Sequence, residues 1–209
     1  MIATEEEARD YVAGLCDAPA MARLERLIGE LREENQRQNL VADATLDSVW
    51  QRHIADSAQL LEFVPRETGT WLDLGTGAGM PGLVIAAMRP LWPVVLVESR
   101  RKRIEWLERM RDALALHLCR IEGARLEHVE VAPAGVISTR AFAPLKRILN
   151  LSARFSTSET QWLLPKGRSA AQELQELPKR QRTLFHVEQS RTDAASGIIV
   201  GRLAGRAET

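Results

Sequence analysis

Asp73-Leu74-Gly75-Thr76-Gly77-Ala78-Gly79 is the stretch on which the reading of this chain turns. It follows the short apolar run Trp71 to Leu74 and leads into Met80-Pro81-Gly82 and the apolar positions Val84, Ile85 and Met88. A strand, a glycine-rich turn and a helix opened by Pro81 are therefore expected in immediate succession. That arrangement places the loop at the carboxyl end of a parallel sheet, where ligands of open α/β folds bind. Glycines let the backbone take up conformations closed to other residues and approach a ligand closely, and the start of the following helix presents free N–H groups.

Outward from the loop, short apolar runs alternate with helical periodicity, the pattern of a mostly parallel α/β sheet. Val94 to Val97 and Gly135 to Ser138 read as strands, as do Gln161 to Leu164, Leu184 to Glu188 and Ile198 to Leu203. Ile104, Leu107, Met110 and Leu114 mark a helix. Before the loop, residues 1 to about 64 read as helical, with Leu24, Leu27, Ile28 and Leu31 in one stripe at i, i+3, i+4, i+7. A helix pair has little core of its own, so the stripe is expected to pack on the sheet. The expected organisation is a helical extension over residues 1–67 and a sheet domain over 68–209. No flexible interdomain linker separates them.

Composition narrows the class. The chain has 209 residues, enough for one core of good size. Lys plus Arg and Asp plus Glu number 28 each, which argues against a general polyanion binder and confines any nucleic-acid contact to one face. Cys16 and Cys119 lie far apart without metal-ligand spacing, so both are expected to be buried as small hydrophobes. No apolar run approaches the ~18 residues of a membrane span, and the acidic start Thr4 to Glu7 lacks a basic leader, so a cytoplasmic protein is expected.

Two enzyme classes share this kind of loop. Gly77-x-Gly79-x-x-Gly82 satisfies the dinucleotide fingerprint, and Glu98 follows roughly 20 residues on, where an acid holds ribose hydroxyls. Asp73 in the frame D-x-G-x-G-x-G points instead to an S-adenosylmethionine-dependent methyltransferase. The single tyrosine, Tyr11, lies in the N-terminal helix, so no Tyr-x-x-x-Lys hydride-transfer pair follows the loop. An NAD-dependent oxidoreductase and a nucleotide-binding protein without chemistry remain the alternatives.

Five segments in order give the chain a specific resemblance: Asn39-Leu40, Arg52-His53-Ile54-Ala55-Asp56-Ser57, Asp73 to Gly82, Ile137 to Leu145 with Arg140-Ala141-Phe142, and Lys166-Gly167. The chain resembles the RsmG family, also called glucose-inhibited division protein B, guanine-N7 methyltransferases of bacterial small-subunit ribosomal RNA. The glycine loop is generic to a superfamily, whereas the Arg-His-x-x-Asp-Ser and Arg-Ala-Phe segments discriminate. Glu34 departs from the family, which commonly has Trp before Asn.

The resemblance implies a Rossmann-like class I methyltransferase, with helices on both faces of the sheet and an N-terminal helical extension. It implies S-adenosylmethionine as cofactor, no metal, and ribosomal RNA as partner, free or within the small subunit or its precursor. Its cofactor-binding residues would be Asp73, Gly75, Thr76, Gly77, Gly79, Met80 and Glu98 around the loop, Leu126 and Glu127 against the adenine, and Arg140 closing the pocket. Lys102, Arg103 and Lys166 would face RNA. No general base is expected, because guanine N7 already offers a lone pair. His53 and Asp56, three apart on one helical face, are expected to make structural hydrogen bonds.

Overall fold

The computed structural model describes residues 1–140 and 142–203. Ala141 of the Arg-Ala-Phe segment and positions 204–209 of the expected domain lie outside the described residues. Helix α1 (Glu5–Ala13) starts at a capping box in which Thr4 and Glu7 satisfy each other's backbone N–H. Helix α2 (Ala18–Asn35) starts at Asp17, whose carboxylate accepts the Ala20 N–H at 2.8 Å.

Helix α2 stops at Asn35 for a local reason. The Asn35 amide donates to the Val41 carbonyl and to Asp43, and its oxygen accepts the N–H groups of Leu40 and Val41, which folds the chain into a loop. The expectation of helix up to about residue 64 is corrected there. The segment continues as a 3-10 turn at Asp43–Thr45, then a run made of a π turn (Trp50–Ala55), α3 (Asp56–Ala58) and a 3-10 turn (Gln59–Phe63). The Glu5 carboxylate accepts the N–H groups of Trp50 and Gln51, fixing the start of that run against α1.

The sheet domain then alternates β1 (Trp71–Leu74), α4 (Gly82–Met88), β2 (Val94–Val97), α5 (Arg101–Ala113), β3 (Cys119–Glu122), β4 (Val136–Ser138), α6 (Leu145–Ser152) and β5 (Gln161–Gly167). It closes with α7 (Ala170–Gln175), α8 (Lys179–Arg182), β6 (Phe185–Gln189) and β7 (Gly197–Gly201). The strand order is β3-β2-β1-β4-β5-β7-β6. Strands β1 to β5 pair in parallel, and β7 enters antiparallel between β5 and β6.

Neighbouring side chains of β1 point to opposite faces, and each face has its own core. Trp71 packs with Val84, Ile85, Trp106 and Leu107 and with Leu24, Leu27 and Leu31 of α2. The N-terminal helices thus cover one face of the sheet and share its core. Leu72 and Leu74 pack on the other face with Ile148, Leu149, Trp162 and Leu174. Cys119 is buried as expected, while Cys16 is half-buried and donates to the Val12 carbonyl. No helix among the described residues is long and apolar enough to cross a membrane.

Candidate active site

The carboxyl ends of β1, β2, β4 and β5 meet along one edge, and every strand-terminal residue singled out in the sequence lies there. Asp73, at the end of β1, is fully buried. One carboxylate oxygen accepts the Ser138 hydroxyl at 2.6 Å, and Ser138 in turn accepts the Trp71 indole N–H at 2.8 Å. The other accepts the Gly82 N–H at 3.0 Å. Burial pushes the Asp73 carboxyl up to about 6, against the opposing pull of these hydrogen bonds. The residue therefore ties β1, β4 and the start of α4 together beneath the glycine loop.

Gly75, Gly77 and Gly79 all have positive φ, at 63°, 60° and 100°. A Cβ built on Gly77 would meet Arg103 Nη1 at 3.5 Å, an ordinary contact, so its glycine is required by the backbone conformation. At Gly75 a Cβ would run into the Phe142 ring, which packs directly over the loop. Glu98, just beyond β2, accepts the Gly77 N–H at 3.1 Å and the Ser99 and Arg100 N–H groups at 2.7 and 2.9 Å. Arg103 lies 3.7 Å from the same carboxylate. Trp106 of α5 donates to the Ala78 carbonyl and holds the far side of the loop.

Two clefts open on this edge. The smaller, about 270 Å³, is lined by Gly75, Val97, Glu98, Arg103, Leu126 and Phe142. The larger, about 860 Å³, is walled by residues that include Thr45, His53, Asp56, Arg140, Phe142 and Lys166. Phe142 belongs to both, and it is the partly exposed aromatic that separates them. The sequence offered only its place in the Arg-Ala-Phe segment as a sign of this.

Arg140 crosses from the end of β4 to the helical run before β1. Its Nη1 donates to Asp56 at 3.1 Å and to the Arg52 carbonyl at 3.2 Å, and its Nη2 donates to His53 Nδ1 at 3.1 Å and lies 3.7 Å from the Met80 sulfur. His53 is buried, and desolvation first, with Arg140 second, pushes its imidazole down to about 3. The Arg-His-x-x-Asp-Ser and Arg-Ala-Phe segments, about 85 residues apart in sequence, are thus one contact. The chain is matched by the family model described as rRNA small subunit methyltransferase G over residues 20–197.

The chain belongs to the rRNA small subunit methyltransferase G family. It is 64% identical over 209 residues to ribosomal RNA small subunit methyltransferase G of Erythrobacter litoralis, with 100% of each chain covered. The protein of the same name from Novosphingobium aromaticivorans is 56% identical over 97% of this chain and 90% of its own. Among solved structures, a precorrin-6y C5,15-methyltransferase from Geobacter metallireducens superposes over 80% of this chain and 92% of its own, with a TM-score of 0.53 and 11% identity. That likeness shows the class I Rossmann-like methyltransferase fold and nothing finer. The protein is a methyltransferase, and the oxidoreductase and non-catalytic readings are set aside.

The remaining family positions divide by exposure. Leu126 is buried in the wall of the smaller cleft, whereas Glu127 is exposed and has no hydrogen-bond partner among the described residues. Lys102 is exposed on the first turn of α5. The Lys166 side chain is only 6% exposed, with its Nζ donating to the Ala143 carbonyl at 2.6 Å and paired with Glu173 at 2.9 Å. Glu173 also accepts the Leu145 N–H and the Ser169 hydroxyl, so this pair pins the Phe142 segment to β5 and α7.

Glu34, where the family commonly has Trp, is buried and accepts Arg109 of α5 at 2.6 Å and the Gln38 amide at 2.7 Å. Gln38 also donates to the Lys102 carbonyl. Charge and hydrogen bonds thus dock α2 onto α5.

Proposed function

We propose that the protein transfers the methyl group of S-adenosylmethionine to N7 of a guanine in 16S ribosomal RNA. The observation that carries this is the pair of clefts meeting at Phe142 above the glycine loop, one lined by that loop, Glu98 and Leu126 for the donor and one open to a base. The residues present fit the cofactor: Gly75, Gly77 and Gly79 form a left-handed cradle, Glu98 is a carboxylate at the ribose position, and Leu126 offers an apolar wall to a purine. Thr76 and Met80 belong to the same loop, Glu127 lies at the rim for an adenine amino group, and Arg140 closes the far side against Met80. When bound, S-adenosylmethionine supplies an electrophilic methyl group on its sulfonium.

The protein's own part is alignment. Guanine N7 carries an in-plane lone pair and loses no proton on attack, so no side chain is assigned as a base. His53 and Asp73 are both committed to internal hydrogen bonds, in keeping with that assignment. Bringing the reacting atoms together in a near-attack geometry is worth several orders of magnitude by itself. N7 lies in the deep, narrow groove of an A-form helix, so the substrate is an open loop or folded junction, free or within the small subunit or its precursor. Lys102 and Arg103 contact RNA phosphates directly, whereas Lys166 acts through the Phe142 segment it pins. A ribosomal RNA substrate places the protein in the cytoplasm.

Transfer of labelled methyl from S-adenosylmethionine to small-subunit ribosomal RNA, followed by mass mapping of the product, tests this reading. Single-turnover rates flat between about pH 7 and 8.5 are expected for an acceptor that bears no proton. A log-rate slope near one, abolished by one carboxylate or histidine substitution, points instead to an exocyclic amine or ribose hydroxyl.

A further inference from the structure

The contacts of Arg140 fix the protonation pattern of its neighbour. A guanidinium has only donors, so His53 Nδ1, 3.1 Å from Nη2, must accept, and the proton of the neutral ring sits on Nε2. Nε2 is 2.7 Å from Thr45 Oγ1, and the Thr45 hydroxyl spends its own hydrogen on the Ala42 carbonyl at 2.6 Å. Thr45 is therefore free to accept, and the chain Arg140 to His53 to Thr45 to Ala42 runs in one consistent direction.

The second prong is fixed as firmly. Asp56 takes Arg140 on one oxygen and, on the other, the Thr192 hydroxyl at 2.9 Å and the Gln59 amide at 2.9 Å. Ser57 donates to the His53 carbonyl and holds the turn that presents both residues. Thr45, His53, Asp56, Thr192 and Arg140 all line the larger cleft. A nucleotide entering there meets the same groups that set the guanidinium.

We propose that His53 and Asp56 are positioning residues that hold the Arg140 guanidinium against Met80 at the methyl-transfer site, with Thr45 selecting the His53 tautomer able to accept it. The inference rests on the reading of Arg140 as a wall of that site. It assigns the Arg-His-x-x-Asp-Ser segment a duty distinct from acid–base chemistry and from packing. Misplacing such a group by an ångström is enough to lower a rate about 10²-fold without touching the reacting atoms.

Two substitutions of the same ring separate the roles. His53→Asn leaves an amide oxygen near the place of Nδ1, so Arg140 keeps its acceptor, whereas His53→Gln reaches toward Thr45 and offers Arg140 none. With S-adenosylmethionine and transcribed small-subunit ribosomal RNA, the Asn variant is expected to keep the wild-type single-turnover rate and the Gln variant to lose about 10²-fold in kcat at unchanged KM for RNA. In an Arg140→Lys background neither substitution is expected to lower the rate further.

Equal rates for the two variants, rates that follow their melting temperatures, or losses that multiply with Arg140→Lys overturn the positioning role. Should the Gln variant fail to fold, Thr45→Val, which keeps the ring and its burial, makes the same test: a lowered kcat supports the proposal and a wild-type kcat overturns it. A wild-type protein that moves no methyl to RNA refutes the proposed function itself, which is a different outcome from an active wild type with indifferent variants.

Discussion

Glu98 accepts the backbone N–H of Gly77 at 3.1 Å, so the acid at the end of the second strand and the middle glycine of the loop form one unit. The carboxylate takes three N–H groups in all, a load only an acceptor-only side chain can carry. Glu98→Gln turns one oxygen into a donor facing those N–H groups. Leaving a buried donor unpaired costs about 1–3 kcal/mol, so S-adenosylmethionine should bind about tenfold more weakly or worse. Calorimetry returning the wild-type affinity would remove Glu98 from the cofactor wall.

Gly77→Val is expected to abolish cofactor binding in a folded protein. A built Cβ at Gly77 has room, so the effect comes from the φ of 60°. Left-handed backbone costs an L-residue about 1–2 kcal/mol, and a β-branched one more. Gly77→Ala should therefore weaken binding less than Gly77→Val. Wild-type affinity in both sinks the assignment of the loop.

Lys102 and Lys166 should part company in salt titrations of RNA binding. Lys102→Ala is expected to reduce the slope of log affinity against log salt by about 0.7 to 0.9, the loss of one phosphate contact. Lys166→Ala should leave the slope alone and lower the melting temperature, because Glu173 loses its buried partner. A shallower slope in Lys166→Ala shows that its ammonium reaches RNA directly.

Acid stability should carry two opposed signatures. His53 has a folded value of about 3, below its ordinary 6.5, so it contributes stability present above pH 6.5 and lost as the pH falls toward 3. Asp73 has a folded value of about 6, above its ordinary 3.8, so its contribution is full below pH 3.8 and lost as the pH rises through 6. Each proton is worth about 1.4 kcal/mol per pH unit at most, and between pH 4 and 6 the two slopes oppose each other. Urea unfolding should show His53→Asn less acid-sensitive than wild type and Asp73→Asn more so. The reverse order contradicts the burial argument for both.

Much of this was legible because the signals are local. Trp71–Leu74 and Val94–Val97 form strands over the residues their apolar runs mark, and the glycine loop joins β1 to α4 as its spacing requires. Strand β3, Cys119–Glu122, gave no apolar run: it is an edge strand whose Arg120 and Glu122 bridge each other, and only Cys119 is buried. The end of α2 depended on the four hydrogen bonds of one side chain, Asn35, which no periodicity reports.

In the site, the sequence marked Arg140, His53 and Asp56 separately. Their meeting depends on contacts spanning more than 80 residues, and Thr192, 136 residues beyond Asp56, carried no motif at all. Lys166 was expected to face RNA only through the family resemblance, and its burial follows from Glu173, a carboxylate the sequence did not single out.

The β6–β7 turn that steadies Asp56 is tied to the helices before β1. Arg191 accepts the Ile2 N–H on its carbonyl, and Gln51 reaches the Thr192 carbonyl across 141 positions. Strand β7 lies between β5 and β6 and is the partner through which β6 joins the sheet. A chain cut ahead of Ser190 would leave β6 unpaired and β5 with a bare row of N–H and C=O groups, the kind of edge that recruits other chains. Such a product should lose the far wall of the larger cleft and its resistance to aggregation together.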